Sequence, residues 1–368
     1  MAELQDQVQE FLDELVASGA EDGLQAAVYR RGELMVDAVA GSADPGTDRP
    51  VTPDTLFYAA STGKGVTATV VHVLVQRGLF EYDTPIVELW PEFGAHGKHV
   101  GTVRHALTHS LGVPGLPADL TWARLADWDA ICAMVADLQP WYEPGTQTGY
   151  HAMTYGFVLG EVVRRATDRP IARVLAEDVA GPLGVADELF FGIPQSATAR
   201  LARFVDGDDV AMLAELLDAS PHAVRFGPRE FMPTADLINN TDVVRYHTPA
   251  TGTMSARAVA RMYAALLDEV DGVQLVSPDR LAEISTVATT GTDQTIGGPA
   301  SYGLGYSVGR IGPLAGPPTV FGTAGVGGSA AYADPATGVS VAVTKNRYTP
   351  TDLTTFTLIQ ELALEELG

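Results

Sequence analysis

Ser61 and Lys64 lie three residues apart in Phe57-Tyr58-Ala59-Ala60-Ser61-Thr62-Gly63-Lys64-Gly65-Val66, a spacing suited to nucleophilic chemistry. A serine hydroxyl attacks a carbonyl only when a base takes its proton. A lysine amine serves as that base once burial lowers its pKa toward neutrality. The segment runs from aromatic, extended residues into an apolar stretch, the pattern of a helix that begins near Ser61. Residues i and i+3 are neighbours on a helix, so the Lys64 amine reaches the Ser61 hydroxyl. Free backbone N–H groups and the positive dipole end of a first helical turn also favour an oxyanion nearby. The chain has only three lysines, Lys64, Lys98 and Lys345, and an unpaired one in an apolar helix is costly unless it works. The chemistry would be acyl transfer through a serine ester. Two fixed positions are a short pattern, however, and Ser61 could equally be a helix N-cap.

Elements able to hold this pair can be read around it. Leu4, Val8, Phe11, Leu12 and Leu15 recur at helical spacing, predicting an amphipathic first helix that packs on a sheet. Leu24 to Tyr29 and Leu34 to Ala40 flank Arg30-Arg31-Gly32-Glu33 and read as a hairpin. Tyr302 to Val308, Gly328 to Ala333 and Val339 to Thr344 read as strands, the last two joined through Asp334-Pro335-Ala336-Thr337-Gly338. Leu353, Phe356, Ile359 and Leu362 mark a final helix. The expectation is an α+β fold: an antiparallel sheet flanked by N- and C-terminal helices, with an inserted, mainly helical region. Residues 1–85 and 251–368 would form the sheet region, 86–250 the insertion, and the active site would lie in the cleft between them.

Composition narrows the function. With 46 acidic against 23 basic side chains, the net charge of −23 repels a phosphate backbone, so no nucleic-acid partner is expected. The longest apolar stretch, Val66 to Leu74, falls short of the roughly 20 residues that span a bilayer. Cys132 is the single cysteine and the start MAELQDQVQE lacks the basic and apolar parts of a secretory signal, which suggests a cytoplasmic setting. His105 and His109 have a metal-ligand spacing, with His96 and His99 upstream, but no further ligand pattern accompanies them, so neither metal nor cofactor is expected. Gly297-Gly298 and Gly325-Val326-Gly327-Gly328 lack the context of phosphate-binding loops. Trp141 and Tyr142 could line the cleft or fill the core.

The chain resembles the serine β-lactamase, penicillin-binding protein and family VIII carboxylesterase superfamily, whose first motif is S-x-x-K. In matching order, Leu107-Thr108-His109-Ser110-Leu111-Gly112 resembles its L-T-H-x-x-G segment, and Glu143-Pro144-Gly145 resembles the turn before its second motif. That motif is a tyrosine followed two residues later by asparagine; here it is Tyr150-His151-Ala152. By position Tyr150 inherits the role of general base and then acid with Lys64, and His151 beside it is a candidate substrate contact. Ala152 cannot give the amide hydrogen bond that the asparagine offers to β-lactams and peptides. The third motif, usually K-T-G or H-x-G, corresponds to Thr323-Ala324-Gly325, without the cation. The resemblance implies an oxyanion hole from the backbone N–H groups of Ser61 and Val326, with Thr323 and Gly325 on the substrate side. Thr323 cannot attract a substrate carboxylate. The expected activity is therefore a serine hydrolase working through an acyl-enzyme, a carboxylesterase on small neutral esters with weak or no β-lactamase activity. Two alternatives stay open: a cytoplasmic acyltransferase or amide-modifying enzyme, and an inactive binding protein of the same fold.

Overall fold

The computed structural model describes all residues except 1, 208, 212–214, 216–227, 229, 230, 232, 247 and 351, so part of the expected 86–250 insertion lies outside the described residues. The elements that frame the site are helices α1 (Ala2–Ala17), α2 (Gly63–Gln76), α3 (Trp128–Ala136), α4 (Thr154–Thr167), α5 (Ala256–Leu267) and α6 (Thr354–Leu367). The strands are β1 (Gly23–Arg30), β2 (Glu33–Asp44), β3 (Arg49–Pro50), β4 (Thr289–Thr292), β5 (Pro299–Tyr302), β6 (Ser307–Val308), β7 (Phe321–Ala324), β8 (Ala330–Asp334) and β9 (Val339–Lys345). They form one nine-stranded sheet in the order β3-β2-β1-β9-β8-β7-β6-β5-β4, antiparallel throughout. The two ends of the chain meet at its centre, where Leu24 of β1 pairs with Lys345 of β9.

Alternation along the central strands sets the layers, because successive side chains in a strand face opposite sides. Leu24, Ala26 and Val28 of β1 and Val339, Val341 and Val343 of β9 pack with Leu4, Val8 and Leu12 of α1 and with Phe356 and Ile359 of α6. Ala27, Tyr29 and Ala342 instead join the larger core that contains α2, α4 and α5. Helices thus cover both faces of the sheet, and the fold is the α+β architecture expected. Among the described residues no helix is long and apolar enough to cross a membrane.

One expected strand is different. Residues Tyr302 to Val308 do not run straight but fold back, with Ser307 pairing against Tyr302 across a turn in which Gly303 N–H donates to the Tyr306 carbonyl (2.9 Å). Gly305 occupies the left-handed region (φ +88°), which a glycine adopts without a Cβ penalty. The apolar run concealed this hairpin because Leu304 and Tyr306 are buried in the core on either side of the bend. Asp334 closes the expected β8–β9 turn, its carboxylate accepting from Ala336 N–H (3.1 Å) and the Thr337 hydroxyl (3.0 Å).

At the end of β9 the Lys345 ammonium meets Glu21 at 2.5 Å, with both side chains at most 3% exposed. The Thr355 hydroxyl donates to the same carboxylate oxygen (2.7 Å). Removing one partner strands a buried charge, which typically costs about 3–5 kcal/mol, whereas replacing both is far milder. Lys345→Met is therefore expected to lose stability on that scale in urea unfolding, and the double variant Glu21→Gln/Lys345→Met to recover most of it.

Candidate active site

The backbone leading to Ser61 is clamped before the helix begins. Phe57 and Tyr58 pair antiparallel with Met254 and Thr253, and Ala59 N–H donates to the Gly252 carbonyl (2.8 Å). Ala60 then takes a left-handed φ of +43°, sparsely populated for a residue with a Cβ, and residues Ala60–Thr62 form one tight 3-10 turn into α2. Ser61 thus stands just ahead of α2, and no described side chain caps that turn.

Lys64 lies in the first turn of α2, only 2% exposed. Its Nζ donates to Ser61 Oγ (3.0 Å) and to the Ala250 carbonyl (3.1 Å), and no carboxylate pairs with it among the described residues. Desolvation without a counter-charge lowers its pKa from 10.5 to about 7. The amine is thus free to take a proton near neutrality. Residues Pro249–Gly252 wedge against this turn, since the Thr67 hydroxyl also donates to the Pro249 carbonyl (2.5 Å). The Ala250 carbonyl escaped the sequence reading because a backbone acceptor carries no residue-type signal.

Tyr150 arrives from the other side. Its ring centroid lies 4.9 Å from Lys64 Nζ and 4.8 Å from the His109 ring. Burial pushes its pKa up to about 12, against a hydrogen bond with Ser61 that lowers it. The phenol is therefore a proton donor at neutral pH. Three expected residues, Ser61, Lys64 and Tyr150, are brought together.

His151 is placed differently from the expectation of a substrate contact. It is 1% exposed; its Nδ1 lies 2.6 Å from the Gly149 carbonyl, and its Nε2 accepts from Val113 N–H (3.0 Å). Both nitrogens are spent on backbone, and burial lowers its pKa to about 4. His151 N–H donates to His109 Nδ1 (3.1 Å), so the two imidazoles brace the Tyr150 segment. His105 has an N-capping role, its Nδ1 accepting from Thr102 N–H (3.2 Å), and does not converge with His109 on a common ligand. Tyr142 is in the wall behind the site, its hydroxyl donating to the His109 carbonyl (3.3 Å).

The third segment closes the site against the nucleophile turn. The Thr323 hydroxyl donates to the Thr62 carbonyl (3.1 Å) and meets the Tyr263 hydroxyl at 3.3 Å, so the side chain is occupied under the nucleophile turn. Thr62 returns a bond from its hydroxyl to the Ser329 carbonyl (3.0 Å). Gly325 N–H donates to the same Ser329 carbonyl (2.7 Å), tightening the loop that carries Val326. Among the described residues no backbone carbonyl takes the N–H of Ser61 or of Val326. A Cβ on Gly325 would collide with the Ala59 carbonyl oxygen. Gly325→Ala must therefore push the loop off the nucleophile turn, and overpacking of this kind costs about 1–3 kcal/mol. The expected outcome is a lower melting temperature together with at least a tenfold loss of ester turnover, read by calorimetry and steady-state kinetics.

Sheet, clamped serine turn and unpaired buried lysine, taken with two named esterase relatives and a solved carboxylesterase structure, identify a serine hydrolase of the carboxylesterase type. A family model described as beta-lactamase matches residues 8–364, and the chain belongs to that family. It is 33% identical over 335 residues to the esterase/beta-lactamase LipL of Mycobacterium tuberculosis (strain ATCC 25618 / H37Rv), covering 87% of this chain and 76% of that protein. It is 30% identical over 361 residues to the esterase EstB of Burkholderia gladioli, covering 88% and 86% of the two chains. Among solved structures, a family VIII carboxylesterase superposes with a TM-score of 0.87 at 31% identity, covering 98% of this chain and 97% of the other. A penicillin-binding protein homolog from Caulobacter crescentus reaches a TM-score of 0.85 at 32% identity, covering 99% and 98%.

Proposed function

We propose that this chain cleaves small neutral esters through an acyl-enzyme on Ser61. The observation that carries the reading is the 3.0 Å approach of the Lys64 amine to Ser61 Oγ in a setting that holds the lysine near a pKa of 7. In the first step Ser61 Oγ bonds to the ester carbonyl carbon while its proton passes to Lys64 Nζ. The resulting oxyanion accepts from the N–H groups of Ser61 and Val326, the largest single stabilisation in such a step. As the carbon–oxygen bond to the leaving alcohol breaks, the Tyr150 phenol protonates that oxygen and is itself reprotonated from Lys64. Water then attacks the Ser61 ester with the same groups acting in reverse, releasing the acid.

The preference for neutral substrates rests on what is missing. Thr323 supplies no cation and its hydroxyl is already bonded to the nucleophile turn, while Ala152 offers only a methyl group where an amide donor would hold a β-lactam or peptide. Both esterase-named relatives support the ester reading, although the name of one, esterase/beta-lactamase, also covers the amide bond of a β-lactam. The test is a panel of p-nitrophenyl esters, β-lactams and D-amino peptides, with the acyl-Ser61 adduct sought by intact mass. Neutral short-chain esters should be turned over fastest, and a panel in which carboxylate-bearing β-lactams led would sink the proposal.

A further inference from the structure

The turn between β4 and β5 holds a buried acid in direct contact with the Tyr150 segment. Asp293 is 0% exposed. Its Oδ1 accepts from the N–H groups of Tyr150 (3.0 Å), Thr295 (2.8 Å) and Ile296 (3.0 Å), and its Oδ2 accepts from the Tyr302 hydroxyl (2.9 Å). Only donors face it, the complement of a carboxylate rather than of a carboxylic acid. No lysine, arginine or histidine pairs with it among the described residues. A second bond, from Gln294 N–H to the Thr148 carbonyl (2.8 Å), clips the same turn to the strand of chain that carries Tyr150.

We propose that Asp293 is a positioning residue for Tyr150: its carboxylate anchors the tyrosine backbone opposite Ser61 and Lys64, and its charge adds to burial in opposing ionisation of the phenol. The inference rests on the acyl-enzyme reading above and assigns within it the division of labour, Lys64 as the resting base and Tyr150 as the acid. Every other group packed around the phenol is compatible with this. Lys64 faces the Tyr150 ring from α2, Ser61 bonds its hydroxyl from the turn ahead of that helix, and the His109 ring packs on it, with His151, Tyr155 of α4 and Tyr302 of β5 held against His109 in turn. Burial holds both histidines below the usual imidazole range, so neither supplies a positive charge to cancel Asp293. Tyr302, held by the carboxylate, meets His109 edge-on at 4.9 Å, and His109 packs 4.8 Å from the Tyr150 ring, so the carboxylate also supports the phenol through these two rings. A like charge close to an acid in a poorly screened interior opposes its ionisation.

The experiment separates charge from position. Difluorotyrosine, whose phenol ionises in an accessible pH range, is installed at Tyr150 and titrated by fluorine resonance in wild type, Asp293→Asn, Asp293→Glu and Tyr302→Phe backgrounds. Asp293→Asn keeps a carbonyl oxygen for the three N–H donors but removes the charge, and should raise the acid dissociation constant on the order of tenfold, as expected for a charge at an effective dielectric near 20. Tyr302→Phe, which retains the charge, should leave it within twofold. Asp293→Glu retains the charge but shifts the anchor, and should lower kcat per fluorophosphonate-titrated site more than it changes KM. An unchanged phenol titration in Asp293→Asn overturns the charge effect, and a wild-type kcat in Asp293→Glu overturns the positioning role. If the Asn variant does not accumulate folded, the Glu variant still decides the second. The titration needs no substrate. Failure of the wild type to label at Ser61 would overturn the esterase reading separately from Asp293.

Discussion

Ser61→Ala is expected to cut turnover of a short p-nitrophenyl ester by at least about a thousandfold and to abolish the acyl adduct in intact-mass spectra. Removing the nucleophile of a serine hydrolase leaves only the contribution of the oxyanion hole and substrate binding, and losses in such enzymes reach about a millionfold. The substitution should not disturb the fold. The side chain is only half-buried, and its loss frees Lys64 from one hydrogen bond while the bond to the Ala250 carbonyl remains. A lost hydrogen bond of this kind costs about 1 kcal/mol. Residual activity within tenfold of wild type, in protein with an unchanged melting curve, would mean that another group carries the chemistry.

Lys64→Met carries the second large effect, and it has two readouts of opposite sign. Removing a general base typically costs about a hundredfold to ten-thousandfold in rate. Wild-type kcat/KM should also rise with pH up to about 7, where the amine loses its proton, and level off above; the variant should lack that limb. Stability should move the other way. The folded pKa is depressed from 10.5 to about 7, so between these values the unfolded chain binds a proton that the folded chain does not. Wild-type stability therefore increases with pH across that window and is lost as pH falls from 10.5 toward 7, by an amount on the order of 5 kcal/mol. Relative to wild type, Lys64→Met should gain stability as pH is lowered through the window and change no further below it. Urea unfolding at pH 10 and pH 7 measures this. A constant difference between the two proteins would show that the lysine is not held neutral.

The two effects share one cause. A lysine buried without a counter-ion is unfavourable for folding, and the same missing counter-ion makes it a base at neutral pH. Stability given up at a site of this kind is compensated elsewhere in the molecule. Here the sheet centre, with β1 and β9 buried on both faces, is one place where apolar area is gained.

The sequence made the nucleophile, its lysine and the tyrosine legible because each is a residue type with a local spacing. S-x-x-K needs only one helical turn, and the turn is present apart from its opening as a 3-10 segment. The terminal helices and the β1–β2 and β8–β9 hairpins were legible for the same reason, since periodicity and turn residues act over a few positions. What stayed hidden acts across the chain. Asp293 looks like any loop acid until the fold sets it against the backbone of Tyr150, 143 residues away. His151 sits next to the tyrosine in sequence yet turns into the wall, because Val113 and Gly149 offer its ring two backbone partners. Thr323 reads as a gap in a motif, while in three dimensions its hydroxyl ties β7 to the nucleophile turn.

The sequence alone thus determined which groups could react and the order of the elements that carry them, since hydroxyl, amine and phenol chemistry belongs to the side chains and helical spacing belongs to the local backbone. Tertiary structure decided their protonation and their purpose. Whether Lys64 is a base or a cation depends on the solvent excluded around it, and how tightly Tyr150 holds its proton depends first on its burial, with a carboxylate brought from a distant loop acting in the same direction. Desolvation and charge proximity are properties of the packed interior, and neither exists until the chain has folded.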